Sequence, residues 1–363
     1  MNDKYASRVM DVASKLDALS NSEGEVTRLA LRIVEDSDDK AAKSILDKIS
    51  VFGAQNDDKV IRMSIELKDA MISYYGYMKI RSIYNSASID SQEDKRTLEE
   101  LLEELNGLVG LKEVKRKVND LIAYQHVQML RKENGLVAKK NTLHLAFLGN
   151  PGTGKTTVAR IVGRIYKQLG LLSKGHFIEA SRTDLIAGYQ GQTALKVKDV
   201  VERAKGGVLF IDEAYSLTEN DHTDSYGREC LTELTKALED YREDLVVIVA
   251  GYTDLMQSFF ESNPGLRSRF NTFIEFDDYC EEELLGIMHD MCKKNDYIIS
   301  TEAEDKIKIL IHNELEKNSN NFANGRFIRN IYEELVMNHA RRINEYKNPG
   351  RIELMTIEGK DVE

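Results

Sequence analysis

Residues 145–157, Leu-Ala-Phe-Leu-Gly-Asn-Pro-Gly-Thr-Gly-Lys-Thr-Thr, constrain this chain more than any other stretch. An apolar run that reads as a buried strand stops at Gly149. A loop with further glycines at Gly152 and Gly154 follows, and then a helical pattern from Val158 to Leu169. Gly149, Gly154, Lys155 and Thr156 fit the pattern G-x-x-x-x-G-K-[ST]. A loop that wraps a triphosphate does so with successive backbone N–H groups, and side chains at the glycine positions would obstruct the approach. Asn150, Pro151, Gly152, Thr153 and Thr157 are expected in the same cradle. Lys155 is expected at the β/γ-phosphates and the Thr156 hydroxyl on Mg²⁺. ATP with Mg²⁺ is thus the ligand pair to look for.

At 363 residues and 42 % hydrophobic content, the chain suits two or three domains with substantial cores. No eighteen consecutive apolar residues occur, so no membrane span is expected. The start, Met1-Asn-Asp-Lys-Tyr5, lacks the basic-then-apolar order of a secretory signal. Cys230, Cys280 and Cys292 show no metal-like spacing, and free thiols in a reducing cytoplasm are expected. A net charge of -11 argues against general nucleic-acid binding.

Up to about Thr97 the pattern is helical. Tyr5, Val9, Val12, Leu16 and Leu19 make one amphipathic stripe; Val26, Leu29, Ala30 and Ile33 a second; Ala42, Ile45, Leu46 and Ile49 a third. A fourth runs from Val60 through Met63, Leu67 and Met71 to Tyr74 and Met78. Tyr74, Tyr75, Tyr77 and Tyr84 read as core with a wetted edge, or as a partner surface. The polar stretch Ser86 to Asp94 marks a boundary. Beyond it, buried strands are predicted at Leu145–Gly149, Phe177–Ala180, Val208–Ile211, Leu245–Ala250 and Thr272–Phe276, with helices between them. Such alternation implies a parallel sheet sandwiched by helices. After Asp278 only helices are predicted: Glu281–Lys294, Thr301–Lys317 and Gly325–Glu345. The expected domains are 1–97 (helical), 98–278 (α/β) and 279–363 (a helical lid).

Val208-Leu-Phe-Ile-Asp-Glu213 delivers two acids to the carboxyl end of a buried strand, where open α/β sheets bind ligands. Asp212 can hold Mg²⁺ through its water shell, and Glu213 can polarise the attacking water. Arg267 and Arg269 precede a strand, in the position of an arginine finger. Arg326 and Arg329 lie one turn apart at the start of a lid helix, so one can point at a nucleotide between the α/β and lid regions. In Ala187-Gly-Tyr-Gln-Gly-Gln-Thr193, Tyr189 stands between glycines, in a loop rather than a core position. With Gln190 and Gly191 it forms a candidate aromatic paddle.

Taken together, these motifs resemble an AAA+ ATPase of the CbxX/CfxQ family, which includes red-type Rubisco activases, stage V sporulation protein K and the ATPase of type VII secretion. Among these the chain resembles stage V sporulation protein K in particular. The resemblance covers about residues 98–345. It implies a P-loop AAA+ parallel-sheet domain with a C-terminal helical lid, preceded here by an all-helical N-terminal domain. Leu105 to Lys112 resembles the segment that places Val109 and Gly110 near adenine, and Ala214-Tyr-Ser-Leu217 is family-like. By the resemblance, Arg269 takes the finger role, Arg326 the sensor-2 role and Tyr189 the pore-loop role. Most AAA+ proteins carry a γ-phosphate-sensing Asn after the strand that ends here at Ala250. Gly251-Tyr252 occupies that slot, leaving Tyr252 or Thr253 as candidates to orient the lytic water. No family resemblance is recognised for residues 1–97.

The expectation is an ATP-hydrolysing cytoplasmic ring, a hexamer, that remodels a protein target recruited by the N-terminal helices and gripped by the pore loops. A finger at the far edge of its own domain serves a neighbour, and such heterologous contacts close into rings. A nucleotide-controlled scaffold and a DNA-associated loader are the alternatives. Salt-dependent DNA binding would favour the loader.

Overall fold

The computed structural model describes residues 3–20, 22, 24–36, 38–53, 57–76, 80, 96–137, 142–189, 191–218, 225–317 and 322–362. Tyr77, Met78, Tyr84, the polar stretch 86–94 and Gln190 lie outside them. The chain divides into two compact units, Met1–Asp94 and Lys95–Glu363.

The first unit holds helices α1 (Asp3–Ser20), α2 (Glu25–Asp36), α3 (Asp39–Gly53) and α4 (Asp58–Tyr75). α1 packs on α2 and α4, and α3 on the same two, so the four enclose one core. Val9, Val12, Leu16, Val26, Ile33, Ile45, Leu67 and Met71 fill it. The stripe on α1 is narrower than its spacing predicts, because Tyr5 and Leu19 at its ends are exposed. Tyr74 and Tyr75 pack partly buried against this core, edge to face at 5.1 Å. Buried Asp17 of α1 caps α2: its carboxylate accepts the backbone N–H of Val26 at 3.0 Å, that of Thr27 at 2.7 Å and the Thr27 hydroxyl at 2.6 Å. A carboxylate there satisfies orphan donors and complements the helix dipole.

The second unit begins with α5 (Leu98–Gly107) and α6 (Lys112–Glu133). Thr97 and Glu100 form a capping box at the start of α5. The sheet contains β1 (Leu145–Gly149), β2 (Phe177–Ala180), β3 (Val208–Ile211), β4 (Val246–Gly251) and β5 (Thr272–Phe276). Its order is β2-β3-β4-β1-β5, and every pairing is parallel. Four strands sit where the apolar runs predict, and β4 is shifted by one residue. Between the strands run α7 (Lys155–Gln168), α8 (Arg182–Leu185), α9 (Thr193–Ala204), α10 (Ser225–Asp240), α11 (Thr253–Glu261) and α12 (Pro264–Arg269). Phe147 and Phe210 on the sheet are fully buried, each contributing about 2–3 kcal/mol by area.

The lid holds α13 (Glu281–Lys294), α14 (Thr301–Glu316), α15 (Gly325–Asn344) and the short α16 (Arg351–Met355). It is not wholly helical. Ile298–Ile299 (β6) pairs in parallel with Thr356–Ile357 (β7), joining the C-terminal tail to the α13–α14 turn. The same tail is clamped by Arg342 of α15, whose guanidinium meets both oxygens of buried Asp361 at 2.7 and 2.8 Å. Two-residue strands carry no period, which is why the sequence pattern shows helices alone.

Candidate nucleotide site

A cavity of about 720 Å³ opens at the carboxyl ends of the strands, between the sheet and the lid. Its apolar lining comes from Leu108, Val109, Leu111, Ile287 and Met291. Its polar lining comes from the glycine loop, Lys155, Thr156, Thr157, Asp212, Glu213, Arg326 and Arg329. Apolar side chains in one cavity with a cationic, donor-rich loop suit a flat base joined to a polyphosphate.

The glycine loop is shaped by its neighbours as well as by any ligand. A Cβ on Gly149 (φ 141) would stand 2.3 Å from the carbonyl oxygen of Phe276 at the end of β5. At Gly152 (φ 75) the obstruction is the lid: a Cβ would lie 2.2 Å from Ala323 O and 2.8 Å from Arg326 N. Lys155 is buried at the first turn of α7, where the helix N-terminus already favours anions. Its ammonium donates to Gly149 O at 2.9 Å and Asn150 O at 2.6 Å. Burial lowers its pKa to about 8; Asp212 and Asp278 oppose that fall, and Arg326 deepens it.

β3 carries Asp212 and Glu213 to the cavity wall. Glu213 adopts φ 48, the left-handed region that costs a non-glycine residue about 1–2 kcal/mol, and its N–H donates to Asp212 Oδ1 at 3.0 Å. The tight turn leaves Glu213 exposed on the cavity wall. Gly251 and Tyr252, at the tip of β4, also line the cavity, whereas Thr253 does not.

Other expected contacts lie elsewhere. The side chain of Asn150 turns away to Asp278, the Thr153 hydroxyl donates to Asn150 O at 2.8 Å, and neither residue lines the cavity. Gly110 does not line the cavity; its φ of 63 places it against Glu283 and Tyr279, behind Val109. Lys115 holds this segment in shape by donating to Asn106 O and Leu108 O. Arg269 is also outside the cavity. It donates to Gly265 O at 3.1 Å and pairs with Glu239 at 3.6 Å. Arg267 is exposed, its guanidinium 5.8 Å from the centre of the Phe273 ring.

Tyr189 is 74 % exposed, at the tip of the loop between α8 and α9. The base of that loop is firm: Lys196 donates to Thr183 O and Ile186 O, and Ala187 N–H donates to Thr193 Oγ1. Arg182, at the root of the loop, donates to Ser216 O just after the acid pair.

The share of α13 and of the linker before it in the cavity was not read from the sequence. Ile287, Asp290, Met291 and Lys294 face it from α13, and Tyr279 from the linker. Burial and Glu283 push the Tyr279 phenol up to about 12, so it stays a donor, to Thr153 O at 3.1 Å. Ile287 and Met291 follow the same spacing as the core residues Leu284 and Met288, and spacing alone does not separate a core face from a ligand face.

A parallel five-stranded sheet, a glycine loop entering α7, an acid pair at the end of β3 and a lid bearing two cavity-facing arginines define a nucleotide-hydrolysing class. Residues 145–278 match the family described as ATPase family associated with various cellular activities (AAA), and residues 280–363 match the AAA lid domain. The chain belongs to the AAA ATPase family and, within it, to the CbxX/CfxQ group; it is an ATPase. It is 40 % identical to stage V sporulation protein K of Bacillus subtilis (strain 168) over 280 residues, covering 77 % of this chain and 87 % of that protein. It is 45 % identical to protein CbbX of Cereibacter sphaeroides over 245 residues, 67 % of this chain and 79 % of that one. It is 39 % identical to the chloroplastic ribulose bisphosphate carboxylase/oxygenase activase of Cyanidioschyzon merolae (strain NIES-3377 / 10D) over 290 residues, 78 % and 98 % of the two chains. Among solved structures, the FIGL-1 AAA domain matches with a TM-score of 0.50 at 18 % identity, covering 76 % of this chain and 89 % of that one, a likeness of fold. No helix among the described residues is long and apolar enough to cross a membrane.

Proposed function

We propose that the chain is one subunit of a hexameric ring in which ATP hydrolysis drives remodelling of a protein target. The observation that carries this reading is the split placement of the arginines. Arg326 and Arg329 line the chain's own cavity, whereas Arg269 does not. A finger that cannot serve its own site serves a neighbour's, and a head-to-tail contact of that kind closes into a ring. The relatives support a protein target, since one of them is named an activase of an enzyme.

The base of ATP takes the apolar lining beside Val109, and the phosphates take the glycine loop. Thr156 and Asp212 are hard oxygen donors on the same wall, which suits Mg²⁺. Among the described residues no group of three or more His, Cys, Asp or Glu gathers at metal-binding spacing. A magnesium ion held by one or two protein oxygens, water and phosphate is the arrangement such a site offers. Mg²⁺ would offset phosphate charge, Glu213 would polarise the attacking water, and Tyr252 stands at the wall where that water would be oriented. Tyr189, Gln190 and Gly191 form the paddle that grips the target, and the N-terminal helices recruit it. Cys230, Cys280 and Cys292 are free thiols, in keeping with a cytoplasmic setting.

Subunit mixing tests the reading. Arg269→Ala should bind ATP yet turn over on the order of 10³-fold more slowly. Adding Lys155→Ala subunits should restore activity, because some interfaces then join an intact cradle to an intact finger. Absence of recovery at every ratio, in rings shown to be mixed, would refute a finger acting between subunits.

A further inference from the structure

The joint between the glycine loop and the lid is built around Asn324, which does not line the cavity. Asn324 is fully buried at the N-terminus of α15 with φ 48 and ψ -123. Its Oδ1 accepts the Tyr279 N–H at 2.8 Å, and its Nδ2 donates to Asp278 Oδ1 at 2.6 Å and Phe322 O at 3.0 Å. Asp278 also accepts from Asn150 Nδ2, at 2.9 and 3.0 Å to its two oxygens. The Tyr279 hydroxyl reaches Thr153 O, and the Gly325 N–H donates to Gly152 O at 3.1 Å. Loop residues 150, 152 and 153 are therefore each tied to the hinge or to the first turn of α15. Two residues beyond Asn324, Arg326 faces the cavity.

We propose that Asn324 is a positioning residue for ATP hydrolysis: it locks the start of α15 to the glycine loop, so that Arg326 and the phosphate cradle move as one body. This rests on the reading above that Arg326 faces the bound nucleotide from the lid. The physical basis has two parts. A non-glycine residue with positive φ persists only where its surroundings over-determine it, and here a satisfied buried amide does so. A charge that must meet a transferring phosphate loses on the order of 100-fold in rate for a displacement near 1 Å. A merely structural asparagine would influence lid stability without regard to Arg326.

Two substitutions separate these roles. Asn324→Gly accepts the backbone conformation but removes every amide bond. Asn324→Asp keeps the acceptor for Tyr279 N–H and sets a like charge against Asp278; adding Asp278→Asn rebuilds the pair with donor and acceptor exchanged. Steady-state turnover, ADP affinity and thermal unfolding are measured on the full chain, alone and with Arg326→Ala. Asn324→Gly should lower kcat about 10- to 100-fold while shifting ADP affinity less than about threefold, and should add no further loss in the Arg326→Ala background. The exchanged pair should recover turnover over Asn324→Asp alone, which keeps the test decisive if Asn324→Gly folds poorly. Independent, multiplicative losses from Asn324→Gly and Arg326→Ala, or parental turnover in Asn324→Gly, would overturn the inference. Parental turnover in Arg326→Ala would remove the assignment on which it stands, and that result is read on the single variant.

Discussion

The ammonium of Lys155 lies 2.6 Å from the carbonyl oxygen of Asn150, so the cation is held by the backbone of the loop it is meant to serve. A triphosphate must win it from that carbonyl. Because burial holds the Lys155 pKa at about 8, roughly half of the molecules carry a neutral amine at pH 8. Phosphate charge beside the amine raises its pKa again. Nucleotide binding at pH 8 should therefore take up about half a proton, falling toward zero below pH 7. Calorimetry in buffers of different ionisation heat reads this directly. Zero uptake at pH 8 would mean that the amine is already fully charged.

Gly152 answers to the lid. Gly152→Ala places a methyl group against Ala323 O and the N-terminus of α15, on a backbone at φ 75 that already costs alanine about 1–2 kcal/mol. The lid should be displaced, with a lower unfolding temperature before any nucleotide is added. A variant that melts like the parent and loses only ATP affinity would restore phosphate approach as the sole reason for this glycine.

His144 gives the α/β region an acid limit. It is fully buried, facing Leu238 O at 3.0 Å through Nε2 and accepting Val247 N–H at 3.1 Å through Nδ1. Burial lowers its pKa from 6.5 to about 4; Leu238 O and Glu239 oppose the fall, and Arg269 adds to it. Between those values the unfolded chain takes a proton that the folded one refuses. Stability is thus complete above pH 6.5 and declines as pH falls, by about 3 kcal/mol at pH 4. His144→Gln should be less stable at pH 7 yet lose less between pH 6.5 and 4. Equal pH dependence in calorimetric melts of the two proteins would contradict this.

Tyr189 offers a separable test of target handling. Its side chain is exposed and is absent from the cavity wall, so Tyr189→Ala should keep ATP turnover and assembly. Remodelling should fail, because most of the sequence-tolerant contact area is gone, while Tyr189→Phe should largely work. Full remodelling by Tyr189→Ala would exclude threading and favour a scaffold.

Much of this was legible because strands buried on both faces leave unbroken apolar runs; Leu145–Gly149 leads into the glycine loop and Val208–Ile211 into the acid pair. Arg326 and Arg329 were read from helical spacing, and both face the cavity. What escaped depends on contacts across long separations. Asp278 reads as an ordinary linker acid, yet it joins Asn150, 128 residues away, to Asn324. His144 reads as a strand-edge polar residue until Leu238 O and Val247 N close around it. Gly152 was legible as a glycine with a purpose, though the backbone that demands it lies in the lid.

The sheet order has one more consequence. The strand that supplies the acids, β3, and the strand that feeds the glycine loop, β1, are not neighbours; β4 is hydrogen-bonded to both. Gly251 at its tip pairs with Leu148, so the strand between the acid pair and the glycine loop is in register with both. A shift of β4 along its axis would alter acid and cradle together, so their spacing is set by a strand that carries neither.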